Sequence, residues 1–191
     1  LRRSGDHLER VIRAQRDVAR RGTTQPRAVE VAFGFEEGPE SLPALRLKVG
    51  DGREVLLRGY IDRVDIAETE DGLLGVVIDY KRTLDKHLNL ARVYHGLAQQ
   101  LLGYLLVLAR HGSKLEGRPI WPIAGLYVSL IPQYDSLTHP DDAAEEGTEG
   151  SQAHRPRGVV LADAFSVLDA AAEGGKWSAA DCFFRKTAGS P

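Results

Sequence analysis

The sequence is poor in cysteine and in long apolar runs. Its single cysteine, Cys182, excludes a disulfide framework and any site built from several cysteine ligands within these residues, which suits a reducing compartment. No stretch of about 18 apolar residues occurs, and the amino-terminal LRRSGDHLERVIRAQ lacks the apolar segment of an export signal. We therefore predict a cytoplasmic protein with no membrane partner.

The sequence also has little net charge. Lysine and arginine number 25 against 27 aspartate and glutamate residues, and the pI is near 6.3. Binding to a nucleic acid would therefore need a local basic patch, or metal ions between acidic groups and phosphates. A Gly-rich phosphate loop of the Walker type is absent, and the histidines lack the spacing of a zinc site: His87, His95, His111, His139 and His154.

Length and composition indicate one globular domain over residues 1–191. The chain is 42% hydrophobic and 27% charged, which is enough to bury a sheet with helices packed on it. The first residue is Leu rather than Met, and the sequence ends in TAGSP, so we expect a piece of a longer polypeptide. The segment 132–157 contains DDAAEEGTEGSQ and is predicted to be a flexible acidic surface loop.

The apolar pattern predicts an α/β fold with a central mixed sheet flanked by helices. Helices are predicted over 6–21, 92–110 and 162–175, with His111 and Gly112 capping the second. Strands are predicted over 28–35, 54–66, 73–82 and 123–131, and a hairpin turn at Gly50–Gly52 is predicted to follow a further short strand in LRLKV. Hairpins give antiparallel neighbours, whereas the helical crossover gives a parallel one, so the sheet is mixed.

Charged side chains share one face at the end of the strand VVIDYK. Because side chains alternate, Asp79 and Lys81 project from one face, and Ile78 and Tyr80 from the other. In the preceding strand, Gly59, Ile61, Arg63 and Asp65 are predicted on one face, and Tyr60, Asp62 and Val64 on the other. A turn over 69–72 joins the strands, so Asp62 and Asp79 are expected to lie across the ladder from each other.

Two neighbouring carboxylates indicate a metal site. They repel each other and raise each other's pKa unless a positive charge lies between them. A few hard oxygen ligands, with room for water and a phosphate, suit Mg²⁺ or Mn²⁺ better than zinc. Such an ion activates water, and the Lys81 ammonium could stabilise charge on a phosphoryl oxygen. The alternative is that Asp79 and Lys81 form an ordinary surface pair, with Asp62 bound to Arg58 or Arg63.

Three segments in order, GYIDRVD, VVIDYK and YHGLAQQLLGYL, resemble the nuclease domain of the PD-(D/E)XK superfamily in its RecB-like branch. The resemblance covers about Val29 to Leu106 and implies a restriction-endonuclease-like core. A weaker likeness through PRGVVLADAFSVLD is similar to AddB-type subunits of bacterial helicase-nucleases. By position, the resemblance implies Asp62 and Asp79 as metal ligands, Lys81 as the catalytic lysine, and Gln100 and Tyr104 beside the site.

Glu30 matches a glutamate on the first strand of that family. We consider a role for Glu30 in the site and a salt bridge to an arginine of the neighbouring strand equally good interpretations. His7 is only 23 residues before Glu30, which is too close for the family's upstream metal-binding histidine, so we expect an exposed helix residue there. Since the family's iron–sulfur cluster needs four cysteines, we expect no such cluster in this chain and interpret Cys182 as a packing residue.

The resemblance implies a metal-dependent DNA nuclease, which we expect to be an exonuclease-type domain of a helicase-nuclease in double-strand break repair, acting on single-stranded ends. A basic rim is predicted from Arg58, Arg63, Lys81, Arg82, Lys86 and Arg92. Two alternatives stay open. One is a non-catalytic DNA-binding or scaffolding module with the same fold, and the other is a restriction-type or CRISPR-associated nuclease.

Overall fold

A five-stranded mixed sheet forms the centre of the protein. This computed structural model describes residues 2–35, 41–82, 99–131, 154 and 156–170. Its strand order is β1–β4–β5–β6–β7, and all neighbours are antiparallel except β5 and β6, which are parallel. The strands are β1 (Gln25–Phe33), β4 (Gly59–Thr69), β5 (Gly72–Lys81), β6 (Ile120–Ser129) and β7 (Arg157–Val160). The predicted mixed sheet is confirmed.

Four α-helices are described around the sheet: α1 (Arg2–Ala19), α2 (Gln100–His111), α3 (Ser113–Glu116) and α4 (Phe165–Leu168). Short 3-10 turns are found at Gly50–Gly52 and Ala162–Ala164. The parts of the predicted helices over 92–98 and 171–175 lie outside the described residues, as does most of the predicted loop over 132–157. At the end of that loop, β7 begins at Arg157, where a loop was predicted. Among the described residues, no helix combines the length and apolar character needed to span a bilayer.

Helix α2 packs on one face of the sheet because its apolar side chains recur at helical spacing. Leu101, Tyr104, Val107 and Leu108 are all buried. Tyr104, Val107 and Leu108 join a core with Val77 of β5 and residues of β1 and β4. A Cβ added to Gly75 would lie only 2.7 Å from a methyl carbon of Leu108, so glycine permits the close approach of α2 to β5. Helix α2 therefore lies directly against the strand that carries Asp79.

The opposite face of the sheet carries a second core. Val76 and Ile78 of β5 pack there with residues of β6, with Ala164 and with Leu168 of α4. Helix α1 contributes the partly buried Val18. Of the apolar residues predicted along α1, Val11 is buried, but Leu8 and Ile12 are each 58% exposed, so the predicted stripe is only partly covered by the described residues.

One continuous strand was predicted over 54–66, and this prediction is wrong because the chain leaves one sheet at Arg58 and enters another. Residues before Arg58 form β3 (Glu54–Leu57), which pairs with β2 (Leu45–Lys48) in a separate two-stranded sheet. After Arg58 the chain becomes β4 of the main sheet. The sequence pattern is continuous because both strands are rich in β-forming residues.

The predicted alternation along β4 is also interrupted. Ile61 and Val64, three residues apart, belong to the same core, as do Val31 and Ala28 opposite them in β1. Between these pairs, Glu30 has φ of 51°, a left-handed conformation that is uncommon for a residue other than glycine. Ile61 therefore packs with Val64 and not on the face predicted for it, next to this distortion of β1.

The predicted end of the second helix is confirmed, since α2 ends at His111 with Gly112 as its C-cap. Gly112 keeps right-handed helical angles, and its N–H donates to the carbonyl of Leu108, so the chain turns directly into α3. The left-handed cap comes five residues later at Gly117, with φ of 71°. A Cβ at position 112 would lie only 2.4 Å from the carbonyl oxygen of Leu108 and 3.1 Å from the side chain of Ile120, which accounts for glycine there.

Candidate active site

The candidate site lies where β4 begins and β5 ends. Arg63 pairs with Ile78 in the antiparallel register, which brings Asp62 level with Asp79. Oδ2 of Asp62 accepts a hydrogen bond from the backbone N–H of Tyr80 at 2.7 Å. This bond fixes the Asp62 carboxylate against β5, between the residues that carry the other two charges. The predicted cross-strand placement of the two acids is therefore observed.

Asp79 is the most buried charged group of the site. It is 2% exposed, and Oδ2 lies 2.6 Å from the ammonium of Lys81. Beyond this ion pair, no hydrogen-bond donor of the described residues reaches Oδ2. Burial raises the pKa of Asp79, and the nearby charge of Asp62 raises it further, whereas Lys81 opposes the rise. A buried carboxylate oxygen with one charge partner has capacity for a further cation.

Lys81 is held from two directions. Its ammonium contacts Asp79 within its own strand and donates to Oε1 of Gln100 at 2.8 Å. The amide nitrogen of Gln100 in turn donates to the hydroxyl of Tyr104, one helical turn further along α2, at 2.7 Å. The structure therefore brings together Asp62, Asp79, Lys81, Gln100 and Tyr104, all five residues predicted for the site.

Tyr104 connects the site to the core. Its ring packs edge-on against Phe33, with 5.9 Å between centroids and 81° between ring planes. Burial raises the pKa of its hydroxyl, and the charges of Asp79 and Asp62 raise it further, against the hydrogen bond from Gln100. Tyr104 is therefore a neutral hydroxyl at ordinary pH, and it fixes the orientation of the Gln100 amide.

Glu30 is level with Asp62 in the register of β1 with β4, but its side chain is exposed. No ion pair of Glu30 is found within the described residues, so the alternative of a salt bridge to a neighbouring arginine has no support there. Its role in the site stays a prediction.

His7 is partly buried rather than exposed, which differs from the expectation for that residue.

One residue of the predicted basic rim, Arg63, does not belong to it. The guanidinium of Arg63 donates to both carboxylate oxygens of Asp65 at 2.6 Å and to the hydroxyl of Tyr80 at 3.1 Å. Its side chain is only 12% exposed. Arg63 and Asp65 therefore form a buried pair on the side of the sheet away from α2, which excludes Arg63 from a DNA-facing rim. Lys86 and Arg92 lie outside the described residues.

The ordinary-surface-pair interpretation of the acids does not fit these contacts. Asp79 is on an internal strand and is buried, and Asp62 bonds to the Tyr80 N–H and not to an arginine. Within the described part of the chain, no group of three His, Cys, Asp or Glu side chains could hold a metal ion. The two acids offer the small set of hard oxygen ligands that Mg²⁺ takes in proteins, where water and substrate phosphate complete the shell.

Sequence reasoning did not identify Tyr127, which also lies at the site. Tyr127 pairs with Asp79 across the parallel strands, and the Lys81 ammonium lies 5.5 Å from the centroid of its ring. Tyr127 lies within the predicted strand over 123–131. The sequence feature that could have identified it as a site residue is an aromatic side chain near the carboxyl end of a strand next to β5.

A mixed sheet with paired acids and a lysine at its strand ends is the arrangement of a restriction-endonuclease-like nuclease, and comparison with known proteins agrees. Residues 2–184 match the PD-(D/E)XK nuclease superfamily, and the chain belongs to this family.

Relatives with a more specific name are also found. The chain is 38% identical over 156 residues to a subunit of the ATP-dependent helicase/deoxyribonuclease of Geobacillus kaustophilus, and the match covers 80% of this chain. It is 30% identical over 173 residues to the subunit of the same name from Listeria welshimeri, with 90% of this chain covered. The matched regions are 13% and 15% of those proteins, so the chain spans only a small part of their length.

Proposed function

We propose that this chain is a Mg²⁺-dependent nuclease domain that hydrolyses phosphodiester bonds of DNA. The observation that carries the proposal is the convergence of Asp62, Asp79 and Lys81 at two adjacent strand ends, with the ammonium 2.6 Å from Asp79 Oδ2. Membership of a nuclease superfamily supports phosphodiester hydrolysis as the reaction.

Each side chain has a distinct part in this proposal. Asp62 and Asp79 would hold the cation, since one is fixed by a backbone hydrogen bond and the other is a buried anion short of partners. When bound, the cation supplies an activated water and neutralises charge on the phosphoryl group. Lys81 presents its remaining proton to a phosphoryl oxygen or to the attacking water. Gln100 orients Lys81, and Tyr104 orients Gln100.

The larger context is also a proposal. The relatives named above are helicase/deoxyribonuclease subunits, so we infer that this domain is one part of a longer chain that works with a helicase at DNA double-strand breaks. Exonuclease action on single-stranded ends and a cytoplasmic location fit such an assembly.

A cleavage assay tests the proposal. End-labelled single-stranded DNA is incubated with the chain and Mg²⁺ or Mn²⁺, beside Asp79→Ala and Lys81→Ala. We expect metal-dependent cleavage by the wild type and its loss in both variants. Binding of DNA without metal dependence and without cleavage in any sample would contradict it and would favour the non-catalytic module. Shortening from one end, as opposed to internal cuts, tests the exonuclease assignment.

A further inference from the structure

Tyr127 has no role in the motifs that identify the family, yet it faces the candidate site. It is level with Asp79 in the parallel pairing of β5 and β6. Two residues earlier on the same strand, a Cβ at Gly125 would contact Leu105 of α2 at 3.2 Å. Since residues two apart in a strand share a face, Tyr127 is on the α2 side, where Asp79 also lies.

The ring of Tyr127 contacts the ammonium of Lys81. The distance of 5.5 Å from Nζ to the ring centroid is within the range of about 6 Å in which the electron-rich face of an aromatic ring attracts a cation. The same ammonium lies 2.6 Å from Asp79 and 2.8 Å from Gln100. Lys81 is therefore surrounded by groups from β5, α2 and β6.

Burial raises the pKa of the Tyr127 hydroxyl, and the charge of Asp79 raises it further, whereas the nearby backbone of Leu101 lowers it. The electrostatic influence of Asp79 on Tyr127 agrees with their level positions in the paired strands.

We propose that Tyr127 is a positioning residue for Lys81. Its ring confines the ammonium between Asp79 and Gln100. A restraint is needed because the Lys81 side chain is 36% exposed and has a flexible four-carbon stem. The effect on catalysis rests on the proposed nuclease function, whereas the placement of Lys81 is measurable without cleavage.

The first test is an NMR measurement on the metal-free chain. In the wild type and in Tyr127→Phe, we expect the ε-methylene protons of Lys81 to be shifted upfield by the ring, relative to those of the exposed Lys114. In Tyr127→Leu the shift should vanish. Coincident resonances of Lys81 and Lys114 in the wild type would overturn the proposal, whether or not the chain cleaves DNA.

The second test measures steady-state cleavage. We expect Tyr127→Leu to lower kcat about tenfold while KM stays within about twofold. Tyr127→Phe should retain most of kcat. Phenylalanines with one, two and three ring fluorines at position 127 should lower kcat stepwise, because fluorine weakens attraction for a cation without changing the packing.

The control is Trp121→Leu, an exposed aromatic at the far end of β6, which should leave kcat unchanged. An unchanged kcat in Tyr127→Leu, or no trend in the fluorinated series, would overturn the proposal. Absence of cleavage in the wild type would contradict the nuclease function instead, and the NMR shift alone would then decide the role of Tyr127.

Discussion

One oxygen of the Asp62 carboxylate accepts a hydrogen bond from the backbone N–H of Tyr80, at 2.7 Å. Tyr80 lies between Asp79 and Lys81 in β5, so this bond ties the carboxylate of one strand to the centre of the motif in the next. The sheet itself thus determines where the charges of the site meet, and these groups should change little in position on metal binding.

The charge of Asp62 can be removed without removing this bond. Asn has a similar shape, and its carbonyl oxygen can accept the bond from Tyr80, so we expect Asp62→Asn to fold as the wild type does. If the carboxylate holds a cation, cleavage should fall at least about 100-fold. The measurement is kcat beside a thermal melt, with Asp71→Asn in the exposed turn after β4 as control. Equal kcat in the two variants would contradict a metal-binding role for Asp62.

Burial of Asp79 predicts a pH-dependent cost in stability. Because its pKa is raised in the folded chain, folding is penalised where the carboxylate is ionised, and the penalty disappears below about pH 4, where it is protonated in both states. Without metal, Asp79→Asn should therefore melt above the wild type at neutral pH, and this difference should shrink as the pH falls to about 4. Melting curves across this pH range test the prediction. A difference independent of pH would show that Asp79 is not buried as an anion.

Asp65 belongs to the motif GYIDRVD, but its pairing with Arg63 predicts that replacing it lowers the stability of the fold. Asp65→Ala leaves a guanidinium buried without its bidentate partner, which should lower the free energy of unfolding by about 3 kcal/mol. Urea unfolding measures this change. The control is Asp17→Ala, which removes an exposed pair with Arg16 and should cost less than about 1 kcal/mol. Similar losses in the two variants would mean that the Arg63 pair is not buried.

Gln100 is expected to affect turnover more than stability. Gln100→Leu removes the acceptor of the Lys81 ammonium and the donor to Tyr104, so kcat should fall about tenfold while the melting temperature changes little. The neighbouring Gln99→Leu is the matched control, since Gln99 is exposed and just precedes α2. If both variants lower kcat equally, the contact between Lys81 and Gln100 has no specific role.

The sequence pattern predicts much of the site because strand geometry is regular. Alternation places Asp79 and Lys81 on one face, and the short turn after β4 brings Asp62 level with Asp79, as observed. Helical spacing likewise predicts that Gln100 and Tyr104 meet. These relationships are local, or they cross a single hairpin, so the residue spacing determines them.

Structural features that depend on contacts with other parts of the folded chain could not be predicted from the sequence. The change of sheet at Arg58 depends on which strand pairs with β3, and the need for glycine at position 112 depends on the close approach of Leu108 and Ile120. Alternation places Arg63 beside Asp65, but the burial of that face and the contact with Tyr80 of β5 are known only when the sheet is assembled, so Arg63 looked like a surface cation. Tyr127 reaches the site through a parallel pairing with a strand distant in sequence.

The most direct test of the central claim is a titration of the chain with Mn²⁺, followed by electron paramagnetic resonance of the free ion. We predict one site in the wild type from which Mg²⁺ displaces Mn²⁺, and an affinity at least about tenfold weaker in Asp62→Asn and in Asp79→Asn. The control Asp71→Asn should bind as the wild type does. Equal affinity in all four proteins would contradict a metal site between Asp62 and Asp79.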